Sequence, residues 1–528
     1  MRRTLLFTAI LLIQGTAQSF AAPYVWSTDI APILFNNCVS CHRTGGIAPM
    51  PLTTYAEADA FKFQIKHSVE DKHMPPWPPD PAYSRLAHER LLSQAEIDKI
   101  VSWVDSGALS GVISQAPPVP VFSNNGDIPG TPDLTITIPT YTSTAVNNDV
   151  YQCFVIPSGQ SASKFISAFE AIPGNRDIVH HVLVYADTTS THVCAGLDAA
   201  DPNPGYVSFG GVGESSVMLL GGWVPGTAPM VYPDNFGIKL FANADIVIQI
   251  HYPAGSSGYQ DSTKIRFFFD QTITREVQIL PVLNHQQNTV LSPYPLSIAP
   301  NTTQNYTESF TAPVNVSLLG VAPHMHLIGR SINAFGVTTS LDTQKYISIP
   351  DWHFHWQGFY FFPKIKKVTA GTTLYSQAHY DNTTANPFQP NNPPQLVTAG
   401  EETTDEMMLT YLIFAFYQPG DEDIIIDSNF VATKVPYTYY RDEELLEPYP
   451  NPAAHELMVK SHFSKETTGT LELVSIDGKL VQTFAANHKF KQGYNVTSYS
   501  VSSIASGSYL LRLRTLTQVL TQKVLIQH

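Results

Sequence analysis

Residues 245–252 read DIVIQIHY, and this stretch decides the fold class. Ile246, Ile248 and Ile250 alternate with Val247, Gln249 and His251, the period-two pattern of a strand whose faces look in opposite directions. DLTITIP (133–139), KFISAFEAI (164–172) and IVHHVLVYA (178–186) also alternate or run apolar over strand lengths, with turn residues between them. From residue 134 to about 440 nothing reads as a long amphipathic helix. Three hundred residues exceed one sandwich, so two stacked β-sandwich domains are expected, 134–293 and 294–442, divided at the turn cluster SPYPLSIAPNTT (292–303).

The composition agrees. Forty prolines and thirty-one glycines in 528 residues favour short strands and turns over long helices. A net charge of −14, 30 basic against 44 acidic residues with no basic run, argues against nucleic acid and anionic membranes as partners. Residues 1–22 read as an export signal: Arg2 and Arg3 precede the apolar run Leu5 to Ile13, and Ser19, Ala21 and Ala22 offer a cleavage site. No later stretch is long and apolar enough to span a bilayer. Export permits disulfides, so Cys153 and Cys194 are expected to pair; two free buried thiols are the alternative.

Ahead of the strands lies a helical segment, taken as domain 23–113. In SQAEIDKIVSWVDSGA (93–108), Ser93 and Glu96 form a capping box and Gly107 suits the stop. Ile97, Ile100, Val101 and Val104 make one apolar face. Residues 114–133 are a Pro/Gly/Asn-rich linker.

The same segment holds NNCVSCHRTGG (36–46). In c-type cytochromes the two thiols of C-x-x-C-H add to the haem vinyl groups and the histidine becomes an axial iron ligand. Cys38 and Cys41, three apart, can reach one porphyrin edge, with His42 beneath the iron. A zinc knuckle would need two further ligands nearby, and this segment has no other cysteine. Met74, on the proline-stiffened loop KHMPPWPPDPAY (72–83), is the expected second axial donor; Met50 and His73 compete.

Two histidine groups stand in the strand region. His180, His181 and His251 offer three imidazoles, which suit copper, zinc, iron or nickel. His324 and His326, in APHMHLIGR (322–330), are two apart and share a strand face. Met407, in EETTDEMMLTYLIF (401–414), follows an acidic turn, and soft sulphur beside imidazole favours Cu(I). Spacing alone does not connect Met407 to His324.

HHVLVY, IQIHY, H-x-H followed by LIGR, YDNT (380–383) and DEM, in that order, resemble the copper type II, ascorbate-dependent monooxygenases, over roughly residues 134–440. The resemblance implies two jelly-roll-like domains with one copper each. It puts His180, His181 and His251 on an electron-transfer copper, and His324, His326 and Met407 on the copper that binds oxygen, with Met408 the alternative sulphur. Two departures matter. Animal members carry several disulfides where this region has two cysteines. The peptide-amidating members use an arginine just before H-x-H to grip a carboxylate, and Ala322 stands there, which argues against peptide amidation. Tyr411 matches a substrate-pocket tyrosine of those members, with a plain core tyrosine as the alternative. His353 and His355 in DWHFHWQ read as a packed or substrate-facing strand, and His379 as a neighbour of the site or a surface residue.

At the end, EPYPNPAAHELMVK (447–460), IDGKLVQTF (476–484) with its Asp477-Gly478 hairpin signal, and GSYLLRLRT (507–515) resemble the sorting domains of the Bacteroidetes type IX secretion system. Residues 446–528 are thus expected to be a small β-sandwich that takes the chain through the periplasm to the surface or exterior of a Gram-negative cell.

The expectation is a multidomain, mainly β, exported monooxygenase that hydroxylates a C–H bond of a small organic substrate with O2. It would hold two copper ions and one covalent haem c, with ascorbate or another reductant as donor and electrons entering through the haem. The alternative from another class is a surface electron-transfer or binding protein with haem and no oxygenase chemistry. A zinc hydrolase in the same scaffold is a third reading, disfavoured by Met407.

Overall fold

The structure is a computed structural model that describes residues 24–122, 126–209, 211–354, 356–427, 443–445, 448, 450–463, 465–475, 479–515 and 519–528. The export signal at 1–22, His355 and the Asp477-Gly478 turn lie outside the described residues. The chain divides into two compact units, residues 1–124 with 132–432 and residues 125–131 with 433–528.

The first unit begins with the helical segment: Ala31–Asn37, Tyr55–Ala60, Lys62–Glu70 and Gln94–Asp105. The Ser93–Glu96 capping box forms as its spacing requires, and Thr54 with Glu57 builds a second. Ile97, Ile100 and Val104 are buried, but Trp103 takes the core position expected of Val101. The last turn ends at Gly107, whose φ of +98° favours glycine.

The strand region forms two β-sandwich lobes joined by one sheet. Its path runs Leu134–Thr137, Lys264–Phe269, Lys164–Ile172, Phe236–Leu240, Arg275–Asn284, Leu409–Phe416, Val316–His324 and Tyr360–Val368. The strand Arg275–Asn284 belongs to both lobes. Arg275–Val277 pairs in parallel with Phe236–Ile238, and Gln278–Asn284 pairs antiparallel with Leu409–Phe414. A five-stranded sheet containing Val150–Pro157, Asp245–Tyr252 and His181–Asp187 closes the N-terminal lobe. Another, containing Thr303–Thr311, Thr373–Asp381 and Gly329–Val337, closes the C-terminal lobe. The N-terminal core takes in Leu319, Ile365, Ile413 and Ala415 from the C-terminal strands, so the lobes share apolar packing. Hydrophobic burial here holds the two lobes as one body.

The alternation in DIVIQIHY holds. Ile246, Ile248 and Ile250 enter this core, while Val247 turns to a separate buried cluster with Cys153, Cys194, Tyr206 and Val212. Both faces are covered, so every residue of the strand is buried.

The expected Cys153–Cys194 disulfide is not formed. Both thiols are free and fully buried in one cluster. Cys194 Sγ instead donates to Val212 O at 3.6 Å, and burial lifts the Cys153 and Cys194 thiols to about 12 and about 11. The pair is packed as apolar side chains.

The second unit has its own core, built from Leu457, Val459, Leu471, Leu473, Leu511, Leu513 and neighbours. Its sheets are a three-stranded one containing Glu456–Phe463 and a four-stranded one containing Thr467–Ser475 and Gly507–Thr515. No helix among the described residues is long and apolar enough to cross a membrane.

Candidate metal centre

His181 and His251 are direct cross-strand partners, and the amide of His180 donates to His251 O at 2.9 Å. Adjacent residues of a regular strand face opposite sides. The strand begins at His181, so His180 lies outside it and its ring turns to the same side as its neighbour. The three Nδ1 atoms converge: 3.1 Å from His251 to His180, 3.3 Å from His251 to His181 and 3.5 Å between the last two.

Each ring proton can serve only one pair, so three imidazole nitrogens this close cannot all satisfy one another. A single metal ion can. Metal–imidazole bonds of about 2.0–2.1 Å set tetrahedral nitrogens ~3.3 Å apart, the spacing seen here. Tyr151, opposite His251 in the ladder, stacks on its ring at 4.4 Å and 4°. Asp149 Oδ2 stands 3.0 Å from His251 Nε2, close enough for attraction though not aligned as a hydrogen bond. A carboxylate there favours the proton on Nε2 and leaves Nδ1 to ligate.

The second histidine group uses the opposite nitrogens. His324 ends its strand, and His326 lies beyond it, not on the strand face its spacing implies. Their rings are 5.1 Å apart at 87°. His324 Nδ1 is hydrogen-bonded to Gln357 Oε1, and His326 Nδ1 faces Asp405 O at 3.2 Å. Both Nε2 atoms are thereby left for a ligand. Burial holds His324 down at about 4 and His326 at about 3, with the mutual repulsion of the two rings adding to the second. Both are neutral imidazoles at physiological pH, the form that binds metal.

Met407 is joined to this pair through Glu406. The buried Glu406 carboxylate accepts N–H from His326 (2.9 Å), Ile328 (2.9 Å) and Met407 (3.1 Å), tying two distant segments together. Burial pushes Glu406 up to about 8 against the pull of these donors. Met408 belongs to the C-terminal lobe core, a packing role that leaves Met407 as the candidate sulphur. Tyr380, from YDNT, donates to Met407 O at 2.8 Å, and Asn382 bonds three backbone carbonyls nearby.

Several expectations land elsewhere. Residues 351–354 and 356–357 of DWHFHWQ lie in a loop, not a strand. It wraps the second group: Trp352 Nε1 donates to His326 O at 3.3 Å, the Phe354 ring meets the His326 ring edge-on, and Gln357 holds His324. His353 packs against Phe388 instead of joining the pair. His379 bonds Asn305 across the sheet at 2.7 Å. Tyr411 lies opposite Ala322 and Pro281 and packs against the N-terminal core; burial raises its hydroxyl to about 12.

Glu406, Gln357, Asp149 and the buried His285 escaped the sequence reading. His285 bonds Met408 O at 2.9 Å and lies close enough to disfavour protonation of His324 and His326. Glu406 and Gln357 sat inside quoted motifs, and a charged or amide residue beside buried ligands was the available signal.

In the helical segment, the amides of Cys41 and His42 donate to Cys38 O at 3.1 and 2.9 Å, so the hook is one tight turn. His42 is buried, and its Nδ1 lies 3.1 Å from Met50 O, which leaves Nε2 for iron. Burial lowers its proton affinity. The Cys38 thiol is pushed up to about 12, mainly by burial. The turn thus brings two thiols and one imidazole with a free ring nitrogen together. Met50 thus supports His42 through its backbone. Met74 stands on the following loop, its amide donating to Ser68 O and the residue 38 % exposed.

Residues 283–442 match the family described as copper type II ascorbate-dependent monooxygenase, C-terminal domain. Residues 447–527 match the secretion system C-terminal sorting domain. The tail therefore marks the chain for export to the cell surface or exterior in Bacteroidetes-like bacteria. The first match begins within the strand shared by both lobes. No curated protein matches the chain.

Similar solved structures include PNGase F, a glycosylasparaginase from Flavobacterium meningosepticum, at 10 % identity and TM-score 0.23, covering 54 % of this chain and 96 % of that one. The C-terminal domain of wzt gives 13 % and 0.12, covering 16 % and 71 %. A Parabacteroides merdae β-glucuronidase gives 10 % and 0.14, covering 43 % of this chain and 28 % of that one.

Proposed function

We propose that this protein is an exported copper-dependent monooxygenase that hydroxylates a C–H bond of a small organic substrate with O2. Its proposed copper ligands are His180, His181 and His251 at one centre and His324, His326 and Met407 at the other. The observation that carries the reading is the convergence of three Nδ1 atoms within 3.1–3.5 Å, in a chain whose residues 283–442 match the monooxygenase family. Copper bound at these centres would supply the two one-electron reductions that accompany insertion of one oxygen atom.

The chain's own residues prepare that chemistry. Asp149 and Tyr151 fix the His251 ring, while Gln357, Glu406 and Trp352 hold the second pair and its neighbouring backbone. A sulphur donor beside two imidazoles favours the cuprous state over zinc. Tyr411 is the proposed substrate-facing residue. Cys38, Cys41 and His42, with Met74 as second axial donor, are the proposed haem c site through which electrons enter; ascorbate or another small reductant is the external donor.

Copper analysis tests this. The reconstituted protein should hold two copper ions per chain, and His324→Ala or Met407→Ala should weaken one without disturbing the other. A protein that takes haem but no stoichiometric copper would be an electron-transfer or binding protein. One that prefers zinc at both centres would end the oxygenase reading.

A further inference from the structure

The loop expected only to carry Met74 does something else: it straps the helical segment onto both sandwich lobes. On the C-terminal lobe, Asp80 N donates to Ser348 O (2.8 Å), Ala87 N to Phe361 O (2.7 Å) and His88 N to Asp427 Oδ2 (2.9 Å). Leu86 is 1 % exposed within that lobe's core, and Trp77 meets Tyr360 edge-on at 5.6 Å. Backbone hydrogen bonds and a buried leucine make a fixed attachment, unlike the polar and replaceable contacts of a domain that docks transiently.

The strap ends on the N-terminal lobe, at the hook. Arg90 Nη1 donates to Pro225 O at 3.3 Å. Gly226, next in the turn, has φ +77°, and a Cβ there would lie 2.1 Å from Arg90 Nη1 and 3.4 Å from Cys41 Sγ. The positive φ favours glycine, and without a Cβ the guanidinium and the sulphur can both come close. The turn, closed by Thr227 N to Val224 O, directly follows the strand Met218–Trp223. Trp223, the last residue of that strand, pairs with Val182, the residue after His181. The sulphur of the hook thus rests against a turn, three residues past Trp223, the cross-strand partner of the residue next to His181. On the side of the other centre the strap packs Trp77 on Tyr360, three residues beyond Gln357, and His73 lies close enough to His353 to disfavour its protonation.

We infer that the Cys41–Gly226 contact, latched by Arg90, is a built-in electron port from the hook to the His180/His181/His251 centre. The inference rests on the proposed haem and copper sites. The step is a one-electron exchange: ferrous haem iron becomes ferric and one cupric ion becomes cuprous, with no bond made or broken and no proton required.

The test uses the full-length protein, loaded with haem and copper, without oxygen or substrate. Flash photoreduction with a flavin semiquinone delivers one electron, and haem absorbance and the Cu(II) paramagnetic resonance signal are followed. The expected result is first-order reoxidation of the haem, at a rate independent of protein concentration, with loss of cupric signal. The phase should vanish in His181→Ala and persist in His326→Ala, although neither variant would be a competent oxygenase. Arg90→Ala, with haem and both coppers retained, should slow it about fivefold, the loss of the closed contact's population that one hydrogen bond's stabilisation corresponds to.

Persistence in His181→Ala, loss in His326→Ala, or a rate that rises with protein concentration overturns the port. Haem and copper both present without any intramolecular phase also overturns it, while leaving the oxygenase reading standing. Failure to bind the first copper overturns both, and failure to bind haem overturns the port and leaves the oxygenase reading standing.

Discussion

The carboxylate of Glu406 accepts the backbone N–H of His326 at 2.9 Å, across eighty residues of chain. The same oxygen takes Met407 N–H and its partner oxygen takes Ile328 N–H, so one buried side chain fixes both halves of the second candidate centre. Glu406→Ala leaves these donors unpaired, at ~1–3 kcal/mol each. The expected outcome is a lower urea midpoint together with loss of copper from this centre and retention at the other. Wild-type stability with two full copper equivalents would refute the bracing role.

Gln357 acts on the tautomer of His324. Its Oε1 holds the Nδ1 proton, leaving Nε2 to bind metal. Gln357→Leu removes that restraint, and such partners are typically worth about 10–100-fold in metal affinity. Competition with a chelator should report a loss of this size at the second centre alone. An unchanged affinity would refute this role for Gln357.

Glu308 makes stability fall as pH rises. It is fully buried, neither carboxyl oxygen has a hydrogen-bond partner among the described residues, and burial raises its pKa well above the ordinary 4.5. The folded state keeps the proton that the unfolded chain gives up above about pH 4.5. Stability from this group is therefore complete below that pH and declines by up to about 1.4 kcal/mol per unit toward the folded pKa. Glu308→Met should remove this slope and stabilise neutral-pH protein by ~1–3 kcal/mol. Parallel stability–pH curves for the two proteins would contradict the assignment.

The strap makes the helical segment and the lobes unfold together. Leu86→Ala opens a cavity in the C-terminal lobe core, at a cost of ~2–5 kcal/mol. Haem-region absorbance and the tryptophan fluorescence of the lobes should lose their midpoints in step in this variant. A helical segment that melts separately in the wild-type protein would show that the strap contributes little.

How much was legible beforehand follows the range of the interactions. The Ser93–Glu96 box and the alternation of DIVIQIHY are local, set by the helix turn and the strand repeat, and each forms as its spacing predicts. Val101 and Trp103 exchanged core roles because which side of a helix faces inward depends on what packs against it. The free thiols of Cys153 and Cys194 depart from the expectation for the same reason: the carbonyl of Val212, not the other sulphur, receives the Cys194 S–H.

By itself the sequence determined the strand-rich class, the two histidine groups and the sorting tail, because residue type and short spacing carry those signals. Tertiary structure alone decided that His181 and His251 are ladder partners and that one group converges through Nδ1 while the other frees Nε2. It also decided that Arg275–Asn284 serves both lobes and that the hook is strapped against Gly226. Each of these depends on strand register and burial between residues far apart in the chain. Those contacts exist only once the whole core has closed.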